Sequence, residues 1–297
     1  MKLRMTLIIA LAVASVFLPT NLEAKSRRVQ KKIAQAEFAA KQEANISLNE
    51  LNSQLLSAVS ENNARECQRL IELGADANVK NANLEPALLL AVKENYVQVV
   101  KTLLDMHADC CAVNQEGIFP LAQVVLNGDK SVPKELDDEK IIYVKSDSKM
   151  HNFLASLLLT SGAKIDQQDH LGHSALHFAA AADNIEAINF LVDHEANANI
   201  KDIEGRTPLM YACSASALES CKQLLMAKAD INATDRDGQT SLMFAVQKDQ
   251  PEMVKFLMDK GALVNAMDDF GATAVKIADA LGNRNSSECL RETGEES

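Results

Sequence analysis

Three histidines fall within eight residues in His170-Leu-Gly-His173-Ser-Ala-Leu-His177, the densest grouping of metal-ligand side chains in the chain. Imidazoles so placed can hold Zn²⁺ or Cu²⁺. No Cys or carboxylate completes a ligand set at matching spacing, so the segment predicts no metal site. Six cysteines offer thiol chemistry: Cys213 and Cys221 lie eight apart, Cys110 and Cys111 are adjacent and are not expected to bond to each other, and Cys67 and Cys289 have no evident partner. A glycine-rich phosphate loop, a nucleophile elbow, a metalloprotease helix and a Cys-x-x-Cys pair are all missing. These residues predict no catalytic, cofactor-binding or metal-ligating site and no enzyme.

The elements that carry these side chains follow from a repeat. Gly172, Gly205, Gly238 and Gly271 are 33 residues apart, and Leu176, Leu209, Leu242 and Val275 keep the step. So do Ala179, Ala212, Ala245 and Ala278, then Asn199, Asn232 and Asn265, and upstream Leu55, Leu88 and Leu121. In the unit that begins Glu204-Gly-Arg-Thr-Pro-Leu, Gly205 suits a turn of positive φ, Thr207 is placed to cap a helix and Pro208 suits its first turn. Leu218 to Met226 supplies a second helix, and Ala229-Asp-Ile-Asn232 leads to the next turn. Two short helices cannot bury their own apolar stripes, so the units must stack.

The motif Thr207-Pro208-Leu209-Met210, its variants Ser174-Ala-Leu-His177 and Thr240-Ser-Leu-Met243, and the exit Gly74-Ala-Asp-Ala-Asn78 resemble the ankyrin repeat. The resemblance implies an all-α solenoid of about seven repeats including caps, protein–protein interaction through turns and inner helices, and no cofactor. His177 stands in the column where that family carries His at a helix start. The array is expected over 47–293, opened by the capping box Ser47-Leu-Asn-Glu50 and closed by a charged last helix, with a tail at 294–297. Gly117 and Gly172 are 55 apart, which leaves 22 extra residues. They fall between the two helices of the third repeat, at about 129–150, either as a binding insertion or as a tolerated surface loop.

Antiparallel helices in the fifth repeat bring Cys213 and Cys221 together, as a disulfide if the compartment is oxidising or as two small core residues. Phe178, Tyr211 and Phe244 share one column, which reads as inter-repeat packing or as an aromatic stripe on the concave face. Recognition is expected at turn positions that change from unit to unit: His173, Arg206 and Gln239, then Glu204, Asp237 and Phe270, with Tyr211 and Phe244 behind them.

Met1 to Leu18 has Lys2 and Arg4 followed by fourteen apolar or small residues, then Pro19 and a small Ala24, the build of a secretory signal peptide at 1–24. The run is shorter than the ~20 apolar residues of a membrane-spanning helix. Residues 25–46 form a basic helical linker, and Lys25 to Glu50 has a charge of +3, whereas Leu51 onward carries 22 Lys and Arg against 37 Asp and Glu. That balance of −15 argues against nucleic acid and steers basic partners toward the array. Aromatics are 4% with no Trp, as thin helical layers packed with Leu and Ala allow. The sequence thus predicts a monomeric, exported, non-catalytic scaffold for a protein partner, with no small-molecule substrate, and membrane contact only if the signal stays uncleaved. The periplasm is the expected compartment, with secretion or signal anchoring as alternatives. An envelope redox or metal-handling factor and an effector engaging host proteins are the competing functions.

Overall fold

The computed structural model describes residues 47–129, 132–136, 140–144 and 148–294. The segments expected to be a signal peptide (1–24) and a basic linker (25–46), together with residues 295–297, lie outside the described residues.

Among the described residues, fourteen α-helices form seven successive pairs. They are α1 (Leu48–Ser60) with α2 (Ala64–Glu72), α3 (Ala87–Lys93) with α4 (Val97–Asp105), and α5 (Pro120–Leu126) with α6 (Ser148–Thr160). Four further pairs keep a fixed step: α7 (Ala175–Ala181) with α8 (Ile185–Asp193), α9 (Pro208–Ser214) with α10 (Leu218–Met226), α11 (Ser241–Gln247) with α12 (Pro251–Asp259), and α13 (Ala274–Leu281) with α14 (Arg284–Gly294). Helix α14 runs through Gly294, the first residue of the expected tail. Helices of seven to nine residues are too short to persist alone in water, so the pairs depend on their neighbours. First helices pack on first helices and second on second, and one continuous core runs from Leu51 to Leu290. Leu55, Leu88, Leu121, Leu176, Leu209 and Leu242, columns of the 33-residue step, are all essentially inaccessible. Each stabilises the array by ~1.5–3 kcal/mol through burial.

Helix starts follow the sequence in part, and the buried hydroxyls of Thr207 and Thr240 at two of them go without a hydrogen-bond partner. The Ser47 hydroxyl accepts from the Glu50 amide at 3.3 Å and opens the array. Pro208 occupies the first turn of α9, but the buried Thr207 hydroxyl has no hydrogen-bond partner. Instead the Thr207 amide donates to Met210 Sδ at 3.5 Å. In the preceding repeat His177 does the same work better: the Ser174 amide donates to His177 Nδ1 at 3.0 Å.

The insertion lies between α5 and α6. A 3₁₀ turn (Asn127–Asp129) ends α5, and two antiparallel strands follow, β1 (Val132–Leu136) and β2 (Lys140–Val144), with Val132 opposite Val144 and Leu136 opposite Lys140. The apolar run Ile141 to Val144 forms β2. Helix α6 has 13 residues where the other inner second helices have 9, so the insertion also adds a first turn to it.

A candidate protein-interaction surface

Between one second helix and the next first helix the chain makes a protruding two-stranded finger, and one residue fixes its shape. The Asp169 Oδ1 accepts from the amides of Leu171 (2.9 Å) and His173 (2.7 Å). Asp202, Asp235 and Asp268 repeat the arrangement with the residues two and four further on, and Asn81 and Asn114 do so in the second and third repeats. An Asx side chain satisfying two amides fixes the turn without help from the rest of the fold. This column was missed in the sequence, although 169, 202, 235 and 268 keep the step of 33; its Asn and Asp members serve the backbone and carry no hydropathy signal.

Adjacent fingers join edge to edge. The Ile203 amide donates to Leu171 O at 3.0 Å, Arg236 to Glu204 O at 2.8 Å and Asp269 to Asp237 O at 2.9 Å. The close approach accounts for the glycine column. At Gly172 φ is +80°, and a Cβ would come within 2.7 Å of the Ile203 amide nitrogen.

On this uniform backbone the tips carry unlike side chains. Leu171, Glu204, Asp237 and Phe270 occupy equivalent positions and all are exposed. Phe270 is 81% exposed, the highest value for a large apolar residue among those described. Behind the tips, the expected recognition residues form a connected row. His173 Nδ1 lies 3.0 Å from Asp169 Oδ2, and its Nε2 lies 2.8 Å from the Tyr211 hydroxyl of the next repeat. That hydroxyl donates to Asp202 Oδ2 at 2.8 Å. One repeat further, the Arg206 guanidinium sits 5.5 Å over the Phe244 ring and 3.7 Å from Asp235. Gln239 accepts from Gln247 at 2.8 Å.

The aromatic column is divided in role. Phe244 is buried, whereas Phe178 and Tyr211 are half-buried and pack against the core. The structure brings His173, Arg206, Tyr211 and Phe244 together through cross-repeat pairs, and places Glu204, Asp237 and Phe270 at the tips.

The Asp169–His173–Tyr211 line resembles a relay, yet its chemistry is that of a lock. Burial first, then the bond to Asp202, holds the Tyr211 hydroxyl well above its usual pKa, so it keeps its proton. A nucleophile or general acid needs the reverse. Burial pushes the His177 imidazole below its usual value. A neutral His177 fits its bonds: Nδ1 accepts from Ser174 and Nε2 reaches Arg206 O at 3.1 Å. His170 is exposed at the tip while His173 and His177 face different partners, so the three imidazoles do not converge.

Cys213 and Cys221 meet as expected, their sulfurs 3.5 Å apart and both inaccessible, here as a thiol pair. That contact first, then burial, holds Cys213 well above the usual thiol range. Outside the finger row, Asp109, Cys110 and Cys111 bring three ligand atoms within 4.8 Å of one another.

An ankyrin-repeat family model with three copies matches residues 141–235 and 216–296, and a second, of many copies, matches 55–104. With seven helix pairs, joined fingers and these matches over more than half its length, the chain belongs to the ankyrin-repeat family. The human ASB11 ankyrin repeat domain superposes with a TM-score of 0.62 at 22% identity, covering 80% of this chain and 96% of that one. The ankyrin repeat domain of Bcl-3, a member of the IkappaB family, gives 0.65 at 23% identity, covering 80% and 97%. No curated protein sequence matches the chain. Ankyrin repeats generally mediate protein–protein interaction and are typically non-catalytic scaffolds. Among the described residues no helix is long and apolar enough to cross a membrane.

Proposed function

We propose that this chain is an exported, non-catalytic scaffold that binds one protein partner along the finger tips and the row behind them. One observation carries the reading: Leu171, Glu204, Asp237 and Phe270 share the same Asx-fixed backbone and differ in chemistry. A fold that needed only its turns would not require a leucine and a phenylalanine projecting into water at two of four tips. Phe270 supplies an aromatic anchor, and Glu204 and Asp237 between Leu171 and Phe270 favour a partner with basic residues flanked by apolar ones. The −15 charge carried from Leu51 onward supports the same choice by steering such a partner in.

Export rests on the Met1–Leu18 segment, and the periplasm fits its build best. The experiment is capture from the envelope fraction with the full array as bait, beside a Leu171→Ser/Phe270→Ser variant and a variant lacking 130–149. The scaffold reading requires a partner that the wild type recovers and the tip variant loses. Recovery by the tip variant and loss by the deletion would move the interface to the β1–β2 insertion.

A further inference from the structure

The second repeat exits through His107-Ala108-Asp109-Cys110-Cys111, in register with Gly74-Ala-Asp-Ala-Asn78 of the first. At the position of Cys111 five other repeats place Asn78, Asp166, Asn199, Asn232 and Asn265, and the first four of these act alike. Each of those four accepts, through Oδ1, an amide of the following repeat at 2.6–2.9 Å. A thiol is a poor substitute for that acceptor. Cys111 therefore gives up an inter-repeat hydrogen bond, and it is half-buried at a surface exit, packed against the core on one side only. Cys110, beside it, stands where Ala77 and Ala198 do.

We propose that Asp109, Cys110 and Cys111 form a binding site for a thiophilic divalent cation, of which Zn²⁺ and Cd²⁺ are the class. Their ligand atoms already lie within 4.8 Å of one another. A tetrahedral shell with Zn–S of ~2.3 Å and Zn–O of ~2.1 Å has edges of roughly 3.5–3.8 Å, so closing the set takes about an ångström. The loop is held on both sides: the Asp109 amide donates to Asn78 Oδ1 at 2.7 Å, and Gln167 Nε2 donates to Cys111 O at 2.8 Å. Asp109 spends Oδ1 on the Cys111 amide at 2.8 Å, which leaves Oδ2 for a ligand. Cys110 Sγ faces Ser161 O at 3.5 Å, at the junction with the repeat that carries the insertion. Asp109 is exposed, which provides an entry path and leaves the fourth coordination position to water. Binding exchanges two thiol protons for one metal ion, with no change of oxidation state. Burial pushes the Cys110 thiol up to about 11, so a metal has to displace that proton.

The test is titration of the reduced full chain with Cd²⁺, followed by thiolate-to-metal charge-transfer absorption in the ultraviolet. The wild type saturates at one equivalent. Cys110→Ala/Cys111→Asn, built from residues that the chain itself uses at these positions, keeps its helical circular dichroism and loses the band. Cys213→Ala, which removes the other close thiol pair, retains it, and Asp109→Asn weakens affinity about tenfold. Zn²⁺ raises the melting temperature of the wild type and not that of the double variant, and Cys111→Asn alone halves the band should the double variant not fold. A band without one-equivalent saturation, one that survives in Cys110→Ala/Cys111→Asn, or one that vanishes in Cys213→Ala overturns the site.

Discussion

His173 and Tyr211 are 38 residues apart in the chain and 2.8 Å apart in space, imidazole Nε2 to phenol oxygen, across the boundary of two repeats. Arg206 and Phe244 repeat the relationship one unit later as a cation over a ring. The row behind the fingers is thus built from contacts between repeats, and the residues expected to recognise a partner also hold the array together.

Tyr211→Phe tests that second duty. The ring stays, the hydroxyl goes, and the buried Asp202 loses the donor at its Oδ2. The expected cost is about 1–3 kcal/mol, the penalty of a buried acceptor left unmade. Urea unfolding followed by circular dichroism measures it, and a midpoint equal to that of the wild type would dismiss the lock.

Two glycines of one column should respond unequally to alanine. Gly172 has a Cβ position 2.7 Å from the Ile203 amide nitrogen and 2.8 Å from Asp202 Cα, whereas nothing lies within 4 Å of Gly271. Both have positive φ, a cost of roughly 1 kcal/mol to a non-glycine residue. Gly172→Ala has to separate two joined fingers as well, so its melting temperature falls further than that of Gly271→Ala. Equal losses would mean that the edge-to-edge approach carries no energy.

His177 makes stability depend on pH with a definite sign. Its folded pKa is lowered, chiefly by burial, so the neutral form is the one that the fold accommodates. Its contribution is present above the unfolded value of ~6.5 and is lost as pH falls below it toward the folded pKa. His177→Met copies Met210, which caps its own helix through sulfur. The melting temperature of the wild type, relative to that of His177→Met, should drop between pH 7.5 and 5.5; parallel profiles would refute the assignment.

Thiol labelling separates the cysteines by burial. Cys111 and Cys289 are half-buried, whereas Cys67, Cys213 and Cys221 are inaccessible. Iodoacetamide on the native, reduced protein is expected to modify Cys111 and Cys289 and spare the other three until unfolding. In protein recovered from an oxidising compartment, the proximity of Cys213 and Cys221 predicts that both stay unlabelled after unfolding without reductant, as a disulfide. Recovery of both as free thiols would make them core residues only.

Much of the architecture was legible because burial repeats. Leucine and alanine columns at a step of 33 give the helix pairs, and the interval from Gly117 to Gly172 gives the insertion and its place. Side-chain bonds to the backbone were harder to read. Asp169, Asp202, Asp235 and Asp268 hold every finger from the fourth repeat on, yet as acidic residues in turns they look like ordinary surface. Thr207 looked like a helix cap, yet its hydroxyl is left without a hydrogen-bond partner and its own amide donates to Met210 Sδ. Tyr211 was visible as a member of an aromatic column, but its bonds to His173 and Asp202 depend on the register between repeats. Cys110 and Cys111 were set aside because neighbours in sequence rarely bond to each other; sharing a third ligand with Asp109 is a question of loop shape.

Amide hydrogen exchange of the array with and without its captured partner tests the central claim most directly. The account predicts slowed exchange in 169–173, 202–206, 235–239 and 268–272, with α8, α10 and α12 unchanged. Protection confined to those second helices or to 132–144, with the fingers unaffected, would contradict it.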